Sequence, residues 1–218
     1  MSTTKRGLFL TFEGLDGSGK TTQIKLLAAH LRAQGETVIE TAEPGGTRAG
    51  GGIRSILLDP ANHNLGSTAE MLLYFAARAQ NVDEILTPAL AAGHIVLCDR
   101  WTDSTFAYQG HGRLLGEKVV LQLDAIACRG RKPDLTVWVD IDLETGLARA
   151  RARNREADST ETRMDDQERG FYARVLEGYR ILAVREPTRV RRIDGSGSVE
   201  DVFQRVLALF EAFRSANV

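Results

Sequence analysis

From Gly7 to Thr22 the chain reads Gly-Leu-Phe-Leu-Thr-Phe-Glu-Gly-Leu-Asp-Gly-Ser-Gly-Lys-Thr-Thr, an apolar run that breaks into glycines and then opens an amphipathic stretch, Lys20 to Gln34. A strand, a glycine-rich turn and a helix in that order let successive backbone N–H groups converge on an anion while the helix presents the positive end of its dipole. The glycines at 14 and 19 followed by Lys20 and Thr21 have the spacing of a phosphate-binding loop. Gly14, Leu15, Asp16, Gly17, Ser18, Gly19, Lys20, Thr21 and Thr22 are therefore predicted to cradle the phosphates of a nucleotide. Lys20 would bring a full charge to the β- and γ-phosphates, and the Thr21 hydroxyl would ligate Mg²⁺.

Beyond that loop, strand-like runs at 8–12, 37–40, 95–99, 135–141 and 190–193 alternate with amphipathic stretches. The alternation predicts an α/β chain with a central parallel five-stranded sheet sandwiched between helices, a three-layer fold. In the first helix Ile24, Leu27, Ala28 and Leu31 share a face, and Gly35 stops it. Ser67-Thr-Ala-Glu70 has the form of a capping box, opening a helix that runs toward Pro88 and ends before Gly93. Ser198 is placed to cap a last helix whose Val199, Val202, Phe203, Val206 and Phe210 form one apolar face. No repeat or low-complexity linker interrupts the 218 residues, so one domain is expected over 1–218.

Two segments break the pattern. Glu43-Pro-Gly-Gly-Thr47 through Gly50-Gly-Gly52 is too rich in glycine for the interior of an element, which leaves a flexible surface loop or a functional one. The stretch 148–169 is rich in arginine and poor in large apolar residues, as a lid would be.

A formal net charge of −1 argues against a nucleic-acid polymer as partner, and no apolar run approaches the roughly 20 residues that span a bilayer. Met1 to Arg6 lack a signal-peptide pattern, and two isolated cysteines, Cys98 and Cys128, suit a reducing compartment. A cytoplasmic protein without membrane partners is expected, with both cysteines as small buried hydrophobes.

A second chemical cluster follows His94. The apolar run Ile95 to Cys98 ends in Asp99, a carboxylate that a strand end can set beside the loop to hold Mg²⁺. Thr21 and Asp99 are thus the predicted metal ligands. Arg100 follows, with a planar guanidinium suited to a phosphate.

With these motifs assembled, the chain resembles the thymidylate kinases over essentially its whole length. The resemblance rests on Phe12 to Thr22, Glu43-Pro-Gly-Gly-Thr47, Leu73-Tyr-Phe-Ala-Ala-Arg-Ala-Gln80, Asp99-Arg100 with Ser104-Thr-Phe-Ala-Tyr-Gln-Gly110, and Pro133-Asp-Leu-Thr136. It implies a P-loop nucleoside monophosphate kinase fold with a helical lid near 145–170, transferring phosphate from ATP with Mg²⁺ to dTMP, in a homodimer. By the same resemblance Tyr74, where the family usually has Phe, stacks on thymine, and Phe75 is either core or a second wall. Arg78 donates to a thymine carbonyl and Gln109 completes the base edge. Ser104 faces the base, Tyr108 packs on the sugar, and Asp16 takes the 3′-hydroxyl. Arg100 and Arg54 hold the acceptor phosphate, with Glu43 and Pro44 shaping its approach. Gly51 and Arg48 stand where the family commonly has Glu and Pro.

Phosphoryl transfer needs positive charge on the equatorial oxygens. The family supplies it either from an arginine directly after the loop aspartate, where this chain has Gly17, or from the lid. The run Arg149-Ala-Arg151-Ala-Arg153-Asn-Arg155 fits the second design, and Arg149 and Arg153 match its lid arginines best. Lys20, Arg100, Arg149 and Arg153 are the expected catalytic set. Arg163 matches a further lid position. The same arginines also suit a solvated helix face balanced by Glu144, Glu156 and Asp158. The motifs leave two other functions open, a kinase of another nucleoside or nucleotide and a P-loop regulatory switch.

Overall fold

The computed structural model describes residues 6–156, 163–164 and 167–217, with the side chains of Arg153, Glu156 and Asn217 outside that set. Five strands, β1 (Leu8–Glu13), β2 (Val38–Ala42), β3 (Ile95–Asp99), β4 (Leu135–Asp140) and β5 (Val190–Asp194), form one sheet in the order β2-β3-β1-β4-β5. Every pairing is parallel. The chain leaves β1 toward one side of the sheet and returns past it to the other, so the sheet reverses its winding between β1 and β3. Ligands of open α/β sheets bind outside the carboxyl ends of the strands at such a point. Phe12 lies opposite Asp99 in the register, which sets the glycine loop beside the end of β3.

Both faces of the sheet are covered, which is why β1 reads as a nearly continuous apolar run. One face packs Leu10, Phe12, Val137 and Val139 against Leu27 and Leu31 of α1 (Lys20–Ala33) and Val206 and Phe210 of α9 (Val199–Asn217). Each such burial contributes about 1.5–3 kcal/mol. Ser198 caps α9, its hydroxyl accepting from Asp201 N and donating to the Asp201 carboxylate. Val199, expected on the apolar face, is instead 57% exposed and borders a recess beside the glycine loop.

The opposite face holds Phe9, Val96, Cys98 and Trp138 against a larger helical layer. Helix α3 (Ser67–Asn81) continues through a π-helical turn at Val82–Leu86 into α4 (Thr87–Ala91). Helix α5 (Thr102–Thr105) continues likewise through Phe106–Gly112, and α6 (Glu117–Cys128) and α8 (Arg169–Arg185) complete the layer. Cys98 and Cys128 are free thiols in this core. After β4, α7 (Leu143–Glu156) carries the arginine run as helix.

Two local expectations need correction. Gly50, Gly51 and Gly52 lie inside a helix, α2 (Arg48–Leu58), where a loop was expected. Thr47 starts it by accepting a hydrogen bond from Gly50 N at 2.9 Å, and a Cβ at Gly50 would run into Gly45 O. Gly51 and Gly52 meet nothing within 4 Å. Gly52→Ala should therefore raise stability by about 0.5–1 kcal/mol, the helix-propensity difference. Thermal unfolding should show a midpoint about 1–4 °C higher; a lower midpoint would contradict the open helical site.

Ser67 does not form the expected capping box. Gly66 is the N-cap, no side chain caps the helix, and the Glu70 carboxylate is drawn into the protein interior instead.

Candidate active site

The glycine loop joins β1 to α1, and Gly19 takes φ 92° at the helix entrance. Lys20 lies back over the loop, its Nζ donating to Leu15 O at 2.8 Å and Gly14 O at 3.1 Å. Burial lowers its pKa to about 8, helped by the Arg100 charge and opposed by Asp99, Asp16 and Glu13. Thr21 Oγ1 donates to Asp99 Oδ2 at 2.6 Å, so the two predicted metal ligands meet as a hydroxyl and a carboxylate. Oxygen donors of this kind suit Mg²⁺, which commonly takes few protein ligands and completes its shell with water and substrate phosphates.

A cleft of about 730 Å³ runs from this loop to α3. Asp16, Gly17, Gly19, Lys20, Thr21, Thr22 and Asp99 line one end. Glu43, Pro44, Arg54, Tyr74, Arg78, Arg100, Ser104, Tyr108, Gln109 and Arg149 line the rest. Gly14, Leu15 and Ser18 do not line this cleft: Leu15 is core, a Cβ on Gly14 would meet Val139 O, and Ser18 borders a neighbouring recess. That recess, about 250 Å³, lies between the loop, Arg149 and the turn Gly195, Gly197, Ser198 and Val199.

Arg100 stands between the two ends of the cleft. Its Nη2 pairs with Asp16 Oδ1 at 2.9 Å, its Nη1 donates to Ser104 Oγ at 2.9 Å, and its guanidinium lies 5.0 Å above the Tyr108 ring. Its backbone takes φ 72°, a left-handed conformation that costs a side-chain-bearing residue about 1–3 kcal/mol. Arg100 N donates to Phe12 O at 3.0 Å, and Arg100 O accepts from Cys98 Sγ at 3.0 Å.

At the far end the helix separates the two adjacent aromatics. Tyr74 borders the cleft, whereas Phe75 is core, 4.9 Å beneath the Arg78 guanidinium. Phe75 is thus a support for Arg78 and not a second wall. Arg78 Nε donates to Glu43 Oε2 at 2.5 Å with both side chains 1% exposed, and its Nη1 donates to Thr105 Oγ1 at 3.1 Å. Burial raises Glu43 to about 7 against the pull of Arg78, while burial, which lowers Arg78, is outweighed by the combined pull of Glu43, Cys128 and Asp124, so that Arg78 is raised.

Several residues of the site went unread in the sequence. Glu13, wholly buried, accepts from Trp101 N at 2.7 Å and from Ser104 Oγ at 2.5 Å. Burial raises it to about 7, with Asp103 adding and Arg100 opposing. Its signal was a charged residue closing an apolar strand. Ser104, expected to face the base, has its hydroxyl taken up by Glu13, Arg100 and Tyr179, and its neighbour Thr105 holds Arg78.

Glu70 is the second hub. It accepts from Gln109 Nε2 at 2.8 Å, from Arg113 through both oxygens at 3.1 Å and from Arg163 Nη2 at 2.7 Å. Burial would raise its pKa, but these donors bring it below the usual value. A carboxylate beside Gln109 fixes the amide with its nitrogen toward Glu70. Arg163, read as a lid position, is 6% exposed, and its Nε donates to Leu57 O. It is a buried counter-ion to Glu70. Arg149 is exposed and borders both cleft and recess, whereas the Arg153 side chain lies outside the described residues.

A parallel sheet reversing at β1, a lysine-bearing glycine loop at that point and a base-sized cleft beside it define a P-loop kinase fold of the nucleoside monophosphate type. The sequence profile described as thymidylate kinase matches residues 12–206. The thymidylate kinase of Geotalea uraniireducens is 50% identical over 203 residues, covering 93% of this chain and 95% of the relative. That of Pelobacter propionicus is 48% identical over 203 residues, covering 93% of each. The crystal structure of a thymidylate kinase from Ehrlichia chaffeensis matches with a TM-score of 0.76 at 32% identity, covering 94% of this chain and 99% of that one. The chain belongs to the thymidylate kinase family.

Proposed function

We propose that the protein transfers the γ-phosphoryl group of ATP to dTMP, giving ADP and dTDP. The observation that carries this reading is the Arg100–Asp16 pair at 2.9 Å, which joins the phosphate loop to the cleft ending at Tyr74 and Arg78. Tyr74 stacks on the thymine ring, a contact of about 1–3 kcal/mol in single-strand binders. Arg78 donates to a base carbonyl, and Gln109, with its nitrogen held by Glu70, keeps its oxygen for the base N–H. Tyr108 packs on the sugar and Asp16 accepts from its 3′-hydroxyl. Arg100 and Arg54 hold the acceptor phosphate in line with the donor.

On the donor side the loop N–H groups and Lys20 take the phosphates, and the recess beside Gly195–Val199 receives the donor base. Thr21 and Asp99 would hold Mg²⁺, which supplies charge neutralisation at the phosphate oxygens when bound. Arg149 and Arg153 belong to a lid spanning about 145–170, within one domain of 1–218, and bring positive charge to the transferring group. Direct transfer needs no side-chain nucleophile, so positioning and electrostatics carry the rate.

Leu72 on α3 and Leu121 and Ile126 on the neighbouring α6 are 48%, 56% and 73% exposed, an apolar surface that suits a homodimer. No described helix is long and apolar enough to cross a membrane. Two unpaired buried thiols suit the cytoplasm.

Steady-state turnover with ATP, Mg²⁺ and a panel of dTMP, dUMP, UMP, dCMP, dGMP and thymidine tests the assignment. The highest kcat/KM should belong to dTMP. A better acceptor in the panel, or ATP turnover indifferent to any acceptor, would overturn it.

A further inference from the structure

Among the described residues Arg100 is the one cleft cation with a left-handed backbone, and both its backbone and its guanidinium lead to the same buried carboxylate. The peptide unit between Arg100 and Trp101 is clamped at its two ends, the carbonyl by Cys98 Sγ at 3.0 Å and the N–H by Glu13 Oε1 at 2.7 Å. Glu13 Oε2 accepts from Ser104 Oγ at 2.5 Å and from Tyr179 OH at 3.0 Å. Those two hydroxyl oxygens in turn accept from Arg100 Nη1, at 2.9 and 3.5 Å. One oxygen of Glu13 thus holds the strained backbone and the other holds the guanidinium through two hydroxyl bridges. Glu13 is wholly buried and is not among the residues that line the cleft.

We propose that Glu13 is the positioning residue of the acceptor-phosphate site, fixing Arg100 so that its guanidinium is preorganised for a monophosphate. This rests on the reading of Arg100 as the acceptor-phosphate ligand. Such a residue acts on phosphate recognition and leaves base recognition alone. A packing role would weaken both together.

The test compares calorimetric affinities for dTMP and thymidine, which share base and sugar and differ in the phosphate. Glu13→Gln keeps the size of the side chain but not its charge or its second acceptor, and should weaken dTMP by about tenfold while thymidine stays within about twofold. Should Glu13→Gln fail to fold, Ser104→Ala combined with Tyr179→Phe severs both bridges with Glu13 in place and should give the same selective loss. Equal weakening of the two ligands, or unchanged affinity for dTMP, would overturn the proposal.

Arg100→Gln separates this from the underlying reading. If that variant binds dTMP as tightly as the parent, Arg100 is not the phosphate ligand and the reading itself fails. If Arg100→Gln loses dTMP but the Glu13 and bridge variants do not, only the positioning role fails. Combining Glu13→Gln with Arg100→Gln should add little to Arg100→Gln alone, since both act on one contact; full additivity would count against the role.

Discussion

Lys20→Met should lower kcat with ATP and dTMP by about 10²- to 10³-fold, the loss typical when one preorganised donor to a transition-state oxygen is removed. The methionine preserves the apolar stem and deletes only the ammonium, whose present partners are the Leu15 and Gly14 carbonyls at the base of the loop. Both hydrogen bonds are buried, so the variant should also lose about 1–3 kcal/mol of stability for each carbonyl left without a partner, a loss that thermal unfolding reads apart from turnover. Affinity for dTMP, whose proposed contacts lie at the other end of the cleft, should stay within about threefold of the parent. Coupled measurement of ADP release together with calorimetry of dTMP reads both quantities. A variant that keeps its turnover number would remove Lys20 from the chemistry.

Arg78→Met should cost about 3–5 kcal/mol of stability, because Glu43, raised to about 7 even with Arg78 beside it, must then either stay charged without its cation or take up a proton. Both partners are 1% exposed, so solvent cannot replace either. The thermal midpoint should fall by about 6–20 °C for a chain of this size. Adding Glu43→Gln to the same variant removes the orphaned charge and should recover part of the loss. A drop below about 3 °C in Arg78→Met would show that the pair adds little to the fold, and an unchanged preference for dTMP would take Arg78 out of base recognition. The guanidinium also lies 4.9 Å from the Phe75 ring and 5.3 Å from Trp101.

What the sequence made legible was whatever depends on local pattern. All five strands lie where the strand-like runs fall; the inner strands β1, β3 and β4 are buried on both faces and apolar nearly throughout, whereas the edge strands β2 and β5 keep exposed polar residues. The loop from Gly14 to Thr21 is legible for a similar reason: its chemistry comes from backbone amides in series. The sheet order was not, since alternation of strands and helices permits several windings. Tertiary contacts decided the rest. Glu70 follows Ser67 at capping-box spacing, yet Arg113, Arg163 and Gln109, remote in sequence, offer its carboxylate more than a helix end does. Tyr74 and Phe75 are chain neighbours, but one helical step of about 100° sends one to the cleft and the other to the core. The glycines of α2 looked like a loop because propensity is read residue by residue, whereas Thr47 and the close approach of Gly45 act on the helix as a whole.

Gly17 takes φ 78°, and a Cβ there would collide with Gly146 O and lie 3.0 Å from Ala150 N, both in the backbone of α7. The first turns of the arginine helix therefore occupy the volume that any side chain at position 17 would need. An arginine inside the loop and a helix seated this close above it are competing tenants of one space. A Gly17→Arg change in this chain would have to displace the helix that carries Arg149, the proposed catalytic cation. The seating of α7 over the loop thus depends on the absence of a Cβ at position 17.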